Sequence, residues 1–111
     1  MLKSYYLPSV NGEGYAYIML DTQHNLFATV SDWGNYACRW SAPGSDFRRF
    51  LVGCDGTYVL GYLMSCRVKP SRGQEVQAKA FIEHVWTRFV ELLRKEIDEE
   101  WRRSNNPDLA P

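Results

Sequence analysis

A chain of 111 residues with 45% apolar and 23% charged residues has the length and composition of one globular domain and argues against a disordered chain. Its formal net charge is zero, which disfavours a dedicated nucleic-acid binder, because such proteins draw affinity from an excess of basic groups. The apolar runs fall far short of the ~20 residues that span a bilayer, so no membrane span is expected.

The first strand is expected at Tyr5–Leu7 and is stopped by Pro8. Asn11-Gly12-Glu13-Gly14 is a turn signal, since Asn and Gly tolerate positive φ. Tyr15 to Leu20 alternates: Tyr15, Tyr17 and Met19 point one way, Ala16, Ile18 and Leu20 the other. Both sets are apolar or aromatic, so cover on both sides is expected. Leu26 to Ser31 alternates cleanly after a polar loop of hairpin length, and Asp32-Trp33-Gly34-Asn35 makes the next turn. Tyr36, Cys38 and Trp40 then share a face. Short turns favour an antiparallel meander over a parallel sheet.

After Pro43-Gly44 the period changes. Ser45 or Asp46 suits an N-cap, and Phe47, Phe50 and Leu51 fall at helical spacing. A second short helix is expected at Tyr58–Met64, where Gly61 suggests close packing or a weak helix. Lys69-Pro70 breaks the chain. Ser71 and Gln74 have capping-box spacing for a long helix ending near Arg103. Ile82, Trp86, Phe89, Leu93, Ile97 and Trp101 trace its apolar stripe, with Val85 and Leu92 widening it. Trp101 lies near the helix end, which leaves room for a homodimer contact through the long helix. The expected fold class is α+β: an N-terminal meander of three to four strands, two short helices, and one long C-terminal amphipathic helix packed on the sheet. Residues 1–104 form the domain and 105–111 a disordered tail.

Cys38, Cys54 and Cys66 are an odd number without a C-x-x-C pair, and no secretory leader is expected before Ser4 and Pro8. Reduced thiols in a cytoplasmic protein follow. A nucleophilic pair of Cys38 or Cys54 with His84 has no spacing to support it. His24 and His84 are isolated, so no metal and no cofactor is expected. The glycines of 11–14 match no phosphate loop.

Charge is uneven along the chain. Residues 38–72 hold six bases (Arg39, Arg48, Arg49, Arg67, Lys69, Arg72) against Asp46 and Asp55. They sit near Trp33, Tyr36 and Trp40, a mixture typical of interface hot spots and of single-stranded nucleic-acid platforms. The alternative is that Arg48 and Arg49 solvate a short helix while the rings pack the core. The acidic run Glu96, Asp98, Glu99 and Glu100 is interleaved with bases and reads as a solvated helix end.

Gly14-Tyr15-Ala16-Tyr17, then Ser31-Asp32-Trp33-Gly34-Asn35-Tyr36-Ala37 with Arg39-Trp40, then Asp46-Phe47-Arg48-Arg49-Phe50-Leu51 and Tyr58-Val59-Leu60-Gly61, resemble a set of small bacteriophage and prophage accessory proteins. The resemblance covers residues 12–64 and brings no catalytic residues with it. It implies a phage origin, and small phage accessory proteins often bind a host protein, including CRISPR or other defence machinery. The expectation is therefore a non-enzymatic protein of the host cytoplasm that binds and inhibits a host protein, in the manner of an anti-CRISPR. Trp33, Tyr36, Arg39, Arg48 and Arg49 are its expected contacts. The alternative is a nucleic-acid-binding accessory protein using the basic segment 38–72.

Overall fold

The computed structural model describes residues 2–41, 44, 46–65 and 71–105. Four strands, β1 (Leu2–Leu7), β2 (Ala16–Asp21), β3 (Leu26–Ser31) and β4 (Gly34–Arg39), form one antiparallel sheet in sequence order. The registers run straight across it: Tyr5 meets Ile18, Ile18 meets Thr29, and Thr29 meets Tyr36. The period-2 alternation therefore sorts side chains onto two faces of all four strands at once. Ala16, Ile18, Leu20, Phe27, Tyr36 and Cys38 are buried on the inner face.

Helices α1 (Phe47–Gly53), α2 (Gly56–Ser65), α3 (Arg72–Phe81) and α4 (Thr87–Asn105) follow the sheet. Asp46 caps α1 by accepting from the Arg48 and Arg49 amides. Ser71 and Gln74 complete the reciprocal capping box of α3. A π turn, Ile82–Trp86, joins α3 to α4, so the long helix runs through from Arg72 to Asn105. Phe81, Val85, Trp86, Phe89 and Leu93 bury its stripe against the sheet, and Phe27 packs edge-on to Trp86 at 5.5 Å. Phe47 and Leu51 of α1, with Val59 and Leu63 of α2, close the rest of the core.

Several expectations are corrected. β1 begins at Leu2, three residues early, because Lys3 satisfies its inward-pointing ammonium on Glu96 of α4. Ile82 is only half-buried, and Phe81 takes its place in the core. Gly61 packs against nothing, since a Cβ there would meet no atom within 4 Å. Trp101 is 61% exposed and leaves the stripe. Among the described residues β2 is covered on its inner side and not on its outer one, because the described helices lie on one side of the sheet. Pro43, Ser45, Cys66, Arg67, Lys69, Pro70 and the segment 106–111 lie outside the described residues.

Candidate functional site

The five residues expected to share a docking surface are dispersed. Tyr36 is 6% exposed; its ring packs on Phe81 at 4.8 Å and its hydroxyl donates to the Trp33 carbonyl. Trp33 is half-buried and stacks on His84 with ring centroids 5.6 Å apart. Arg48 closes an ion-pair cluster. Its Nη1 donates to Glu96 Oε1 at 2.8 Å and its Nη2 to Glu100 Oε2 at 2.6 Å. Its side chain is 12% exposed, so it offers little to a partner. Arg49 is exposed and leans on Asp46 at 3.5 Å. Arg39 is exposed, with Nε donating to the His24 carbonyl. The residues fail to converge because the strand alternation and the α1 register send neighbours in sequence to different sides.

The same cluster corrects the solvated reading of the acidic helix end at Glu96 and Glu100, while Asp98 and Glu99 are exposed as expected. Glu96 and Glu100 bind α4 to α1 and, through Lys3 Nζ at 2.7 Å from Glu96, to β1. The Arg48 hydrogen bonds hold the Glu100 carboxyl below the usual glutamate range. Burial alone would push Glu96 up, but Lys3, Tyr5 and Arg48 outweigh it and its carboxyl also lies low. Burial, then the neighbouring Glu96, pushes the Tyr5 phenol far up.

The imagined cysteine chemistry finds no support in the geometry. Cys38 sits inside the core on β4. Cys54 donates its thiol to the Phe50 carbonyl, and burial, with Asp55 adding to it, pushes that thiol up, away from the reactive thiolate. His84 is engaged elsewhere, stacked on Trp33 with Nδ1 3.6 Å from Glu13 Oε1. Among the described residues no three metal-ligating side chains gather.

A surface does emerge on the side of the sheet that none of the described helices covers. Its rows follow from the registers: Tyr6, Tyr17, Val30 and Asn35 lie side by side, as do Ser4, Met19, Ala28 and Ala37. Leu2, Asp21, Leu26 and Arg39 make the next row. Tyr6, Tyr15, Tyr17, Met19 and Val30 are all exposed, and the rings of Tyr6 and Tyr17 lie 4.8 Å apart. The small side chains of Ala28 and Ala37 leave a hollow of about 380 Å³ bounded by Tyr17, Met19 and Val30. Strand spacing and rise give the face a projected area of roughly 400 Å². Part of that area belongs to Ser4, Asp21, Asn35 and Arg39, so its apolar part is no larger than the biggest apolar patch of a typical monomer, which is often functional. Asp21 and Arg39 mark one end, and the other two rows carry no charge. Of the five expected contacts, Arg39 alone borders this face. The alternation of β2 pointed to Tyr15, Tyr17 and Met19 as one set; what sequence could not supply was the fact that the described helices lie on the other side of the sheet.

A family model described as a phage family matches residues 2–108. The chain belongs to this phage family. In this phage-family chain the match runs through the long helix, well beyond the segment 12–64 that carries the sequence resemblance. No curated protein and no solved structure matches it. Among the described residues, no helix is long and apolar enough to cross a membrane.

Proposed function

We propose that this phage protein is a non-enzymatic binding protein that acts in the host cytoplasm on a host protein through the open face of its sheet. The observation that carries the reading is the uncovered array of Tyr6, Tyr15, Tyr17, Met19 and Val30. Tyr and Met are enriched in protein interfaces, because they bring large contact area and adapt to a partner's shape. The neutral centre suits an apolar protein surface and offers nothing to a phosphate backbone. The Ala28/Ala37 hollow would accept one bulky anchor side chain, the usual form of a binding hot spot. Blocking of a CRISPR-Cas or other defence component is the biological form of this reading, by analogy with other small phage accessory proteins.

The test is affinity purification from host extract with the wild-type chain and with Met19→Asp. The expected result is a specific host protein that Met19→Asp, still folded, fails to retain. Recovery of the same proteins by both chains would reject the face as the contact.

A further inference from the structure

The two edges of the sheet are not alike. At the β4 edge the Tyr62 hydroxyl of α2 takes up one main-chain acceptor, the Arg39 carbonyl. β1 pairs with β2 on one side and, among the described residues, with no strand on the other. An edge strand presents a row of main-chain donors and acceptors, which proteins usually blunt with proline, bulges or inward-pointing charge. Residues 2–7 contain no proline, and their one charge, Lys3, is absorbed by Glu96 at 2.7 Å.

Where β1 ends, a groove of about 550 Å³ opens between it and α4, lined by Leu7, Thr87, Arg88, Glu91, Leu92 and Lys95. Leu7 and Leu92 supply its apolar surface. Glu91 is already engaged by Arg94 at 3.0 Å. The Arg88 guanidinium is directed at the carbonyls of Pro8, Gly14 and His84. Lys95 makes no ion pair among the described residues, so the rim carries positive charge left to be matched. A free strand edge beside a helix-walled apolar groove is the arrangement in which an extended peptide adds to a sheet. Main-chain hydrogen bonds then give affinity, and pockets for alternate side chains give specificity.

We propose that β1 accepts an extended segment of a partner protein as a fifth strand, seating an apolar side chain between Leu7 and Leu92 and an acidic one beside Lys95. The site is separate from the open face, so its failure would leave the function proposed above standing. An added strand would also lengthen the sheet beside Tyr6 and Tyr17, which places the two surfaces in reach of one partner.

The probes are two blocked peptides of alternating Thr and Val around a central Leu, one flanked by Glu and the other by Lys, titrated into the ¹⁵N-labelled full chain. The Glu peptide is expected to bind about tenfold more tightly than the Lys peptide, as charge complementarity at a rim allows. It should shift the amides of Lys3–Leu7 and Leu92 and leave Val30 unmoved. Leu92→Glu should abolish binding. Lys95→Glu, an exposed change that leaves the core intact, should reverse the preference between the peptides. Absence of binding by either peptide, equal binding by both, or a preference unchanged in Lys95→Glu would overturn the proposal. A dimer formed without peptide and lost in Leu92→Glu would also overturn it, by assigning the edge to a second copy of the chain.

Discussion

The two faces of the sheet are built from the same alternating strands, yet one holds the molecule together and the other holds nothing. On the inner face, Phe27 touches both Trp86 and Phe89, and Tyr5 meets Phe89 edge-on at 5.4 Å. On the outer face, Tyr6 and Tyr17 meet each other and then water. Apolar residue type alone thus does not decide burial; the location of the helices does. Tyr17 and Met19 are as apolar as many core residues, yet they are exposed because the described helices lie on the other side of the sheet.

The sharpest break in that comparison comes from truncation. Phe89→Ala removes a fully buried ring and is expected to cost about 3–5 kcal/mol. Tyr17→Ala on the other face should stay within about 0.5 kcal/mol of wild type. Denaturant titration of both variants measures the contrast.

Gly14→Ala should follow. Gly14 has φ +87° and packs on the long helix, where a Cβ would sit 2.9 Å from the Arg88 guanidinium and 3.1 Å from the His84 carbonyl oxygen. Its amide also donates to Asp32 at 2.8 Å. A left-handed conformation and a clash together are expected to cost about 1–3 kcal/mol, read as a lowered unfolding midpoint.

Arg48→Met tests the ion-pair clasp that draws α1, α4 and β1 around the inner layer. It strands Glu96 partly buried, with Lys3 as its remaining cation, and is expected to cost about 1–2 kcal/mol, since Glu100 is half in solvent. The clasp also sets a pH dependence. Glu96 and Glu100 have folded-state affinities for protons below the unfolded ones, so their contribution is fully present at neutral pH. It is lost as pH falls below about 4.5, the ordinary glutamate value, through the depressed range. The acid limb of the stability curve should therefore be shallower in Arg48→Met than in wild type.

Much of the sheet was legible because its signal is local. Leu26 to Ser31 alternates without interruption, and the short turns around it leave little choice but a meander. The cap of α1 and the capping box of α3 were equally local: Asp46, Ser71 and Gln74 act within three residues of themselves. The start of β1 was not legible, because Lys3 is acceptable on the inner face only through Glu96, 93 residues away. Arg48 misled for the same reason: its partners lie 48 and 52 residues on, so an arginine beside aromatics read as free. Trp33 and Tyr36 were expected outside, but their ring partners are His84 and Phe81 on the long helix. Those residues therefore share no single exposed surface, whereas Tyr15, Tyr17 and Met19 stood in view as a strand face.

If the open face is where a partner sits, a probe placed on it will trap that partner. Photo-crosslinking in host extract tests it most directly, with a benzophenone side chain placed at Tyr17 or Val30 and, as a control, at the exposed Val76 of α3. The account predicts that one host protein is trapped from positions 17 and 30 and not from 76. The same protein trapped from 76, or nothing trapped from 17 and 30, would contradict it.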